Sequence, residues 1–218
     1  LGAQRNAIEK NDLPAAQKII KTFQTNPYLE LENNKKALVV KNERLAEYGD
    51  YNFSGERYRQ NGIISKNWPM VNLGDLEEEK KLFFLRGQGI SKKDIIENGK
   101  SKCIHYGEIY TLYEPIITNV VSSTDYDGKV YSAEGDVLVP STTTADALGI
   151  AVARALNQEG VILGGDINII RTENKYIQSK YLSYLINYPP LKLILAAFAK
   201  GTNILHLSNN DLRKLDIP

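Results

Sequence analysis

Val161-Ile-Leu-Gly-Gly-Asp-Ile-Asn-Ile-Ile170 holds two short apolar runs on either side of a glycine pair. Runs this short, rich in β-branched residues and bounded by glycine, read as strands joined by turns. The same texture extends from Trp68 onward, with Phe83–Leu85, Ile104–Tyr113, Val130–Tyr131, Val137–Val139 and Ala147–Ala153 as further strand candidates. Together they predict an irregular mixed sheet or half-barrel. Helical signals lie at the two ends of the chain. Between Ala3 and Phe23 the apolar positions Ala7, Ile8, Ala15, Ala16, Ile19 and Ile20 fit helices, and Asn11-Asp12-Leu13-Pro14 reads as the cap and first turn of the second one. From Ser179, the positions Tyr181, Leu182, Tyr184, Leu185 and Ile186 predict a helix stopped by Pro189-Pro190. Another is expected over Leu191–Ala199, closed by Gly201. Ser208-Asn-Asn-Asp211 has the form of a capping box on a short helix. In the N-terminal region the strongest strand candidate is Ala37-Leu-Val-Val-Lys41. The expected class is α+β: an N-terminal helical arm, then an irregular mixed-sheet or half-barrel domain with C-terminal helices. Turn chemistry at Asn61-Gly62 divides the chain into an arm and linker, 1–60, and a second domain, 61–218.

Bulk properties exclude several classes. With 218 residues, 42% hydrophobic and 24% charged, the chain can bury a sizeable core and is not a disordered tract. A single cysteine, Cys103, rules out an internal disulfide and a cysteine-rich zinc site, which fits a reducing compartment and makes the cytoplasm the expected location. No apolar run is long enough for a membrane span, and the N-terminus lacks the order of a signal peptide. Starting at Leu1 and stopping at Ile217-Pro218, the sequence reads as a piece of something longer.

Net charge is only +1, yet Lys80–Lys102 concentrates Lys80, Lys81, Arg86, Lys92, Lys93, Lys100 and Lys102 against Asp94 and Glu97, seven minus two, or +5. Such a local excess can neutralise phosphates where the chain average cannot. Inside it, Leu85-Arg-Gly-Gln-Gly-Ile-Ser-Lys-Lys-Asp94 places cations, an amide and a hydroxyl on a loop bent by two glycines. Arg can fork onto guanine and Gln onto adenine, while Ser and Lys hold phosphates; Arg86, Gln88, Ser91, Lys92 and Lys93 are therefore candidate DNA contacts. A solvated loop before a helix capped by Ser91 or Asp94 accounts for the same residues. Tyr106-Gly-Glu-Ile-Tyr110 alternates in the strand sense, putting Tyr106 and Tyr110 on one face, either to pack on sugar or a flipped base or simply as half-buried aromatics. Thr142 and Thr143, in the loop after Asp136–Val139, can contact phosphate or cap a helix starting near Ala145. Lys200, Thr202 and Asn203 surround Gly201 and suit a backbone or base contact, or a glycine-terminated helix end with a dipole-complementing Lys.

Catalytic patterns are sparse. Asp166, Glu173 and Lys175 are the residue types of a metal-dependent nuclease, although a turn after Gly164-Gly165 also explains Asp166. Asn26-Pro27-Tyr28 lacks the second proline and the preceding strand of an adenine-methyltransferase motif, and no glycine-rich loop is present to hold a methyl donor. His105 and His206 have no neighbouring metal ligands in sequence.

Taken in order, Trp68-Pro-Met-Val-Asn-Leu-Gly-Asp75, Arg86-Gly-Gln-Gly-Ile-Ser91, Ile104-His-Tyr-Gly-Glu-Ile-Tyr110, Gly135-Asp-Val-Leu-Val139, Gly165-Asp-Ile-Asn168, Tyr181-Leu-Ser-Tyr-Leu185, Lys200-Gly-Thr202 and Ile204-Leu-His-Leu-Ser208 with Leu212–Pro218 resemble a target recognition domain of type I restriction-modification specificity subunits. Ala37-Leu-Val-Val-Lys-Asn-Glu-Arg-Leu-Ala-Glu47 and Asp50-Tyr-Asn-Phe-Ser-Gly-Glu-Arg-Tyr58 resemble the C-terminal tail of the partner methyltransferase subunit, as in a fused polypeptide. The resemblance implies a non-catalytic module that binds double-stranded DNA in the major groove at half of a split site. A methyltransferase domain or subunit then methylates adenine using S-adenosylmethionine, with a restriction subunit as a further partner; no cofactor is expected in this chain. It also implies a long spacer helix after the domain, which serves as a dimer contact; the sequence stops at Asp216-Ile-Pro218, which leads into that helix in the family. That leaves a homodimer open for the full-length protein. Two rivals stand beside this expectation: a metal-dependent endonuclease built on Asp166 and Glu173, and a protein-docking module acting through Leu1–Tyr58.

Overall fold

The structure, a computed structural model, describes residues 11–26, 37–46, 51, 53, 58, 68–144, 147–173, 175–201 and 203–218. The chain divides into two compact units, Leu1–Arg59 and Gln60–Pro218.

In the first unit, α1 (Leu13–Thr25) starts where the sequence predicts, with the Asn11 carboxamide accepting from the Leu13 N–H at 3.0 Å and Pro14 in the first turn. None of its residues is fully buried; Ala15, Ile19 and Phe23, four residues apart, form a half-buried stripe. A second helix, α2 (Asn42–Ala46), follows Ala37–Lys41, which carries no regular element. The strand expected there does not form. β-branched residues favour extended backbone, but a strand also needs a hydrogen-bonded neighbour, and every strand pairing among the described residues lies between Val71 and Ile217.

The second unit is built on short strands: β1 (Val71–Asn72), β2 (Leu82–Arg86), β3 (Ser101–Ile104), β4 (Ile116–Ile117), β5 (Ser123–Thr124), β6 (Asp136–Pro140), β7 (Thr142–Thr143), β8 (Arg154–Leu156), β9 (Ile162–Leu163), β10 (Ile167–Thr172), β11 (Leu205–His206) and β12 (Asp216–Ile217). The central sheet has five strands in the order β2-β10-β6-β8-β4, antiparallel except for the parallel β8/β4 pair. Smaller sheets are β5-β3-β9, β7/β11 and β1/β12, the last joining the start and end of the unit. This is an α+β fold with an open mixed sheet.

Both faces of the central sheet are covered, as the period-2 alternation of its strands requires. Val137 and Val139 of β6, Ile170 of β10, and Leu82 and Phe84 of β2 point to one face. There they meet Leu73 of α3 (Leu73–Glu78), Leu182 and Ile186 of α6 (Ser179–Asn187), Leu191, Leu195 and Phe198 of α7 (Pro189–Phe198), and Leu212 of α8 (Asn209–Leu212). Leu138, Ile167 and Ile169 point the other way, into a second core with Ile104, Ile109, Ile117 and Leu163. The C-terminal helices and the Ser208–Asp211 capping box form as the sequence predicts.

Three strand expectations in this unit are overturned. Val130–Tyr131 contributes only an isolated bridge, Tyr131 opposite Ile162. Ile104–Tyr113 is the end of β3 followed by a helix, α4 (Tyr106–Thr111). His105 Nδ1 accepts from the Gly107 N–H at 3.2 Å, and the Glu108 carboxylate accepts from the His105 N–H at 2.7 Å. This capping box satisfies donors a strand would have left to a partner, and it outweighs a weak alternation. Ala147–Ala153 contains the short helix α5 (Ala147–Ile150) and a link into β8, because a brief apolar run packs equally well in either conformation.

Candidate nucleic-acid interface

Antiparallel pairing brings separate parts of the sequence to one end of the central sheet. β2 and β6 finish where β10 begins, with Arg86 opposite Asn168 and Pro140 opposite Ile167. Beyond Pro140 the chain continues through Ser141 into β7, whose Thr142 and Thr143 pair with His206 and Leu205 of β11. His206 also exchanges backbone hydrogen bonds with Lys200 at 2.9 and 2.7 Å, so a hairpin over 200–206 joins the same rim. Its bend requires glycine: Gly201 has φ +127°, and a Cβ there would run into the Ile204 carbonyl. The Asn209 amide ties α8 to this end by donating to Leu85 O at 2.9 Å.

The loop after β2 is held by backbone bonds. Gly87 N–H donates to Ile167 O at 2.9 Å, Gln88 N–H to Leu163 O at 3.0 Å, and Gly165 N–H to Gly89 O at 2.8 Å. A Cβ at Gly87 would collide with the Gly164 carbonyl, so the first glycine of Arg86-Gly-Gln-Gly serves close loop-to-loop approach. Ile90 anchors the loop. It is 5% exposed, packed with Cys103 and Ile162, at φ +37°. A β-branched residue held there costs on the order of 1–3 kcal/mol, and burying its side chain returns about 1.5–3 kcal/mol, so the core contact sustains the bend.

On this frame Arg86 and Gln88 are exposed. Arg86 Nη2 donates to Asp166 Oδ1 at 2.9 Å and to Ser141 Oγ at 3.1 Å, and the hydroxyl and carboxylate oxygens of those two residues lie 3.4 Å apart. Lys92 and Lys93, also exposed, begin a single 3₁₀ turn, Lys92–Asp94. Ser91 caps that turn: its N–H and Oγ donate to the Asp94 carboxylate at 2.7 and 2.6 Å. These bonds hold Asp94 below the usual carboxylate range.

Tyr106 and Tyr110 do share a face, through the i,i+4 spacing of α4 rather than strand alternation. Tyr110 donates its hydroxyl to Thr142 O at 2.8 Å, and burial pushes its phenol up to about 12. It is a tie between α4 and β7. Thr143 is buried at 8% exposure beside it, whereas Thr142 is half-exposed. Half-buried Tyr106 lies against His105, with ring centroids 4.5 Å apart. Burial lowers the basicity of His105; Glu108 and then Asp166 oppose this, and the Lys92 charge adds to it. Lys200 is exposed, with its ammonium 3.5 Å from Asp211, and Asn203 is exposed in the hairpin bend. Thr202 lies outside the described residues.

The basic stretch Lys80–Lys102 does not form one patch. Lys80 and Lys81 precede β2, roughly 16 Å of strand from Arg86, and Lys81 pairs with Glu79. Lys102 donates to Val121 O at 3.1 Å. Sequence reasoning missed the pairing of Asp166 with Arg86, and the places of Ser141 and His206 at the rim, since only strand register brings these residues together. Asp166 and Glu173 flank β10 at opposite ends, roughly 20 Å apart, so they share no metal site. Among the described residues no three His, Cys, Asp or Glu side chains cluster to hold a metal.

No protein-family model and no curated protein matches the sequence. Solved structures do. A chain from a study of complex assembly and conformational transition in the type I restriction-modification system is 12% identical, with TM-score 0.51 over 94% of this chain and 45% of that one. The HsdS subunit from Thermoanaerobacter tengcongensis is 14% identical, with TM-score 0.47 over 94% and 42%. The type I restriction-modification S subunit from M. genitalium is 14% identical, with TM-score 0.45 over 72% and 36%. The chain thus spans less than half the length of each. At 12% identity what is shared with the first of these is the α+β fold.

Proposed function

We propose that the second unit is a DNA target recognition domain of the kind found in type I restriction-modification specificity subunits, non-catalytic itself and directing methylation or cleavage carried out by other domains. One observation carries the reading: strand register gathers Arg86, Gln88, Lys200 and Asn203, each with an exposed polar end, along one rim of the sheet, with Lys92 further along the loop that follows Arg86. That is the mixture of base-reading forks and phosphate-holding ammonium groups that a duplex groove requires. The motif order in the sequence and the fold shared with a type I system chain support it. Under this reading the partners are double-stranded DNA, a methyltransferase domain or subunit that uses S-adenosylmethionine, and a restriction subunit. Residues 1–60 are then the tail of a fused methyltransferase, the assembled protein is a homodimer, and its compartment is the cytoplasm.

Selection of bound duplexes from a randomised pool by gel shift, followed by sequencing, tests the reading and yields the half-site. Arg86→Ala with Gln88→Ala is expected to relax sequence preference, each lost bidentate contact removing about 1–3 kcal/mol of discrimination. Lys92→Ala with Lys93→Ala is expected to weaken binding to every sequence and flatten the salt dependence by about two in slope. Absence of any duplex binding by the wild-type chain at low salt overturns the assignment.

A further inference from the structure

We infer that Asp166 is a specificity-determining residue of this rim: it competes with DNA for the Arg86 guanidinium, so that a duplex offering two acceptors displaces it and one that does not meets a carboxylate instead. The inference rests on the DNA-binding reading given above.

A guanidinium presents two double-donor edges, Nε with Nη2 and Nη1 with Nη2, and both include Nη2. In this structure Nη2 has two hydrogens and already faces two acceptors, Asp166 Oδ1 at 2.9 Å and Ser141 Oγ at 3.1 Å. A guanine edge, which needs one complete fork, therefore competes with these two side chains for the shared nitrogen.

Asp166 cannot simply follow the arginine outward. Its residue is fixed at φ +59°, its carbonyl accepts from the Ser141 N–H at 2.8 Å, and the next carbonyl, that of Ile167, accepts from the Gly87 N–H at 2.9 Å. The turn is stitched to both flanking segments. The pair itself is weak, because Arg86 and Asp166 side chains are 51% and 45% exposed and water screens them. A bidentate base contact is strong enough to break it, whereas a single acceptor is not. On a mismatched duplex the carboxylate keeps its arginine and adds a negative charge facing the DNA, which lowers affinity for wrong sequences.

The test compares the full chain with Asp166→Asn and Asp166→Gly, both compatible with a left-handed backbone, on the selected half-site duplex and on a scrambled one. Freeing Arg86 is expected to raise affinity for the scrambled duplex ~5-fold, to steepen its salt dependence by about one in slope, and to change the selected duplex less than ~2-fold, so that discrimination falls. Equal changes on both duplexes, or no change on either, overturn the inference while leaving DNA binding intact. A loss on both with an unaltered melting temperature also overturns it, by showing that Asp166 holds Arg86 in its reading pose. Failure of the wild-type chain to bind either duplex removes the DNA-binding reading itself, and this inference with it.

Discussion

Arg171 and Asp136 meet near one end of β10, and Arg86 and Asp166 meet at the other; the same two side-chain types do different work because their surroundings differ. Asp136 is fully buried, and its two oxygens take Arg171 Nε and Nη2 at 2.9 Å each, while Arg171 also donates to Tyr131 O at 3.0 Å. The Ala133 N–H adds a further bond to Asp136 at 2.9 Å. At the rim, both partners are about half exposed and one guanidinium nitrogen makes the contact. A third pair, Arg213 and Glu77, is intermediate, with side-chain exposures of 34% and 25%. Its guanidinium also lies 4.9 Å from the centre of the Phe84 ring, and Glu77 accepts from the Phe84 N–H at 3.3 Å. Burial thus ranks the three pairs from architectural to exchangeable.

The largest effect is expected where the carboxylate has no water. Asp136→Asn leaves Arg171 without its counter-charge, and about 3 kcal/mol of stability should be lost, roughly 6–12 °C in melting temperature at this chain length. A melting shift under ~2 °C would remove the ranking at its upper end.

At the intermediate pair the loss on Glu77→Gln should be about 1–2 kcal/mol in a urea titration, as for a partly exposed charge-assisted bond. Its pH dependence sharpens the comparison. The Arg213 guanidinium holds the Glu77 carboxyl below its usual value near 4.5, so its stabilising contribution is complete above that value and is lost as pH falls through the lower, folded one. The wild-type chain should therefore lose stability more steeply than Glu77→Gln from about pH 4.5 downward. Parallel curves would contradict the assignment.

The smallest stability effect is expected at the rim: Arg86→Ala should change unfolding free energy by less than ~1 kcal/mol, since the pair is solvent-screened. If that variant melts as far below wild type as Asp136→Asn, the rim pair is architectural and its arginine is not available for exchange.

Local signals carried some of this molecule and misled on the rest. The helix after Asn11-Asp12, the Ser208–Asp211 capping box and the runs within β2, β6 and β10 are legible because caps, periodicity and glycine boundaries act over a few residues. Ala37–Lys41 misled because a strand is defined by a neighbour, and α4 misled because its His105–Glu108 box competed with an alternation too short to decide. Of the candidate interface, residue chemistry nominated Arg86, Gln88, Ser91 and the two lysines; the same chemistry could not choose between a phosphate contact and a cap for Ser91, nor tell that Tyr110 is spent on Thr142 O.

The amino-acid sequence by itself determined the α+β class, the glycine-bounded strands and the set of candidate polar side chains, since each depends on the preferences of a residue and its near neighbours. Only the tertiary structure decided that β2, β6 and β10 end together, and that Asp166 faces Arg86 across 80 positions of chain. Those relations follow from strand register, and register is settled by burying two apolar faces at once, a condition that no short segment of sequence contains.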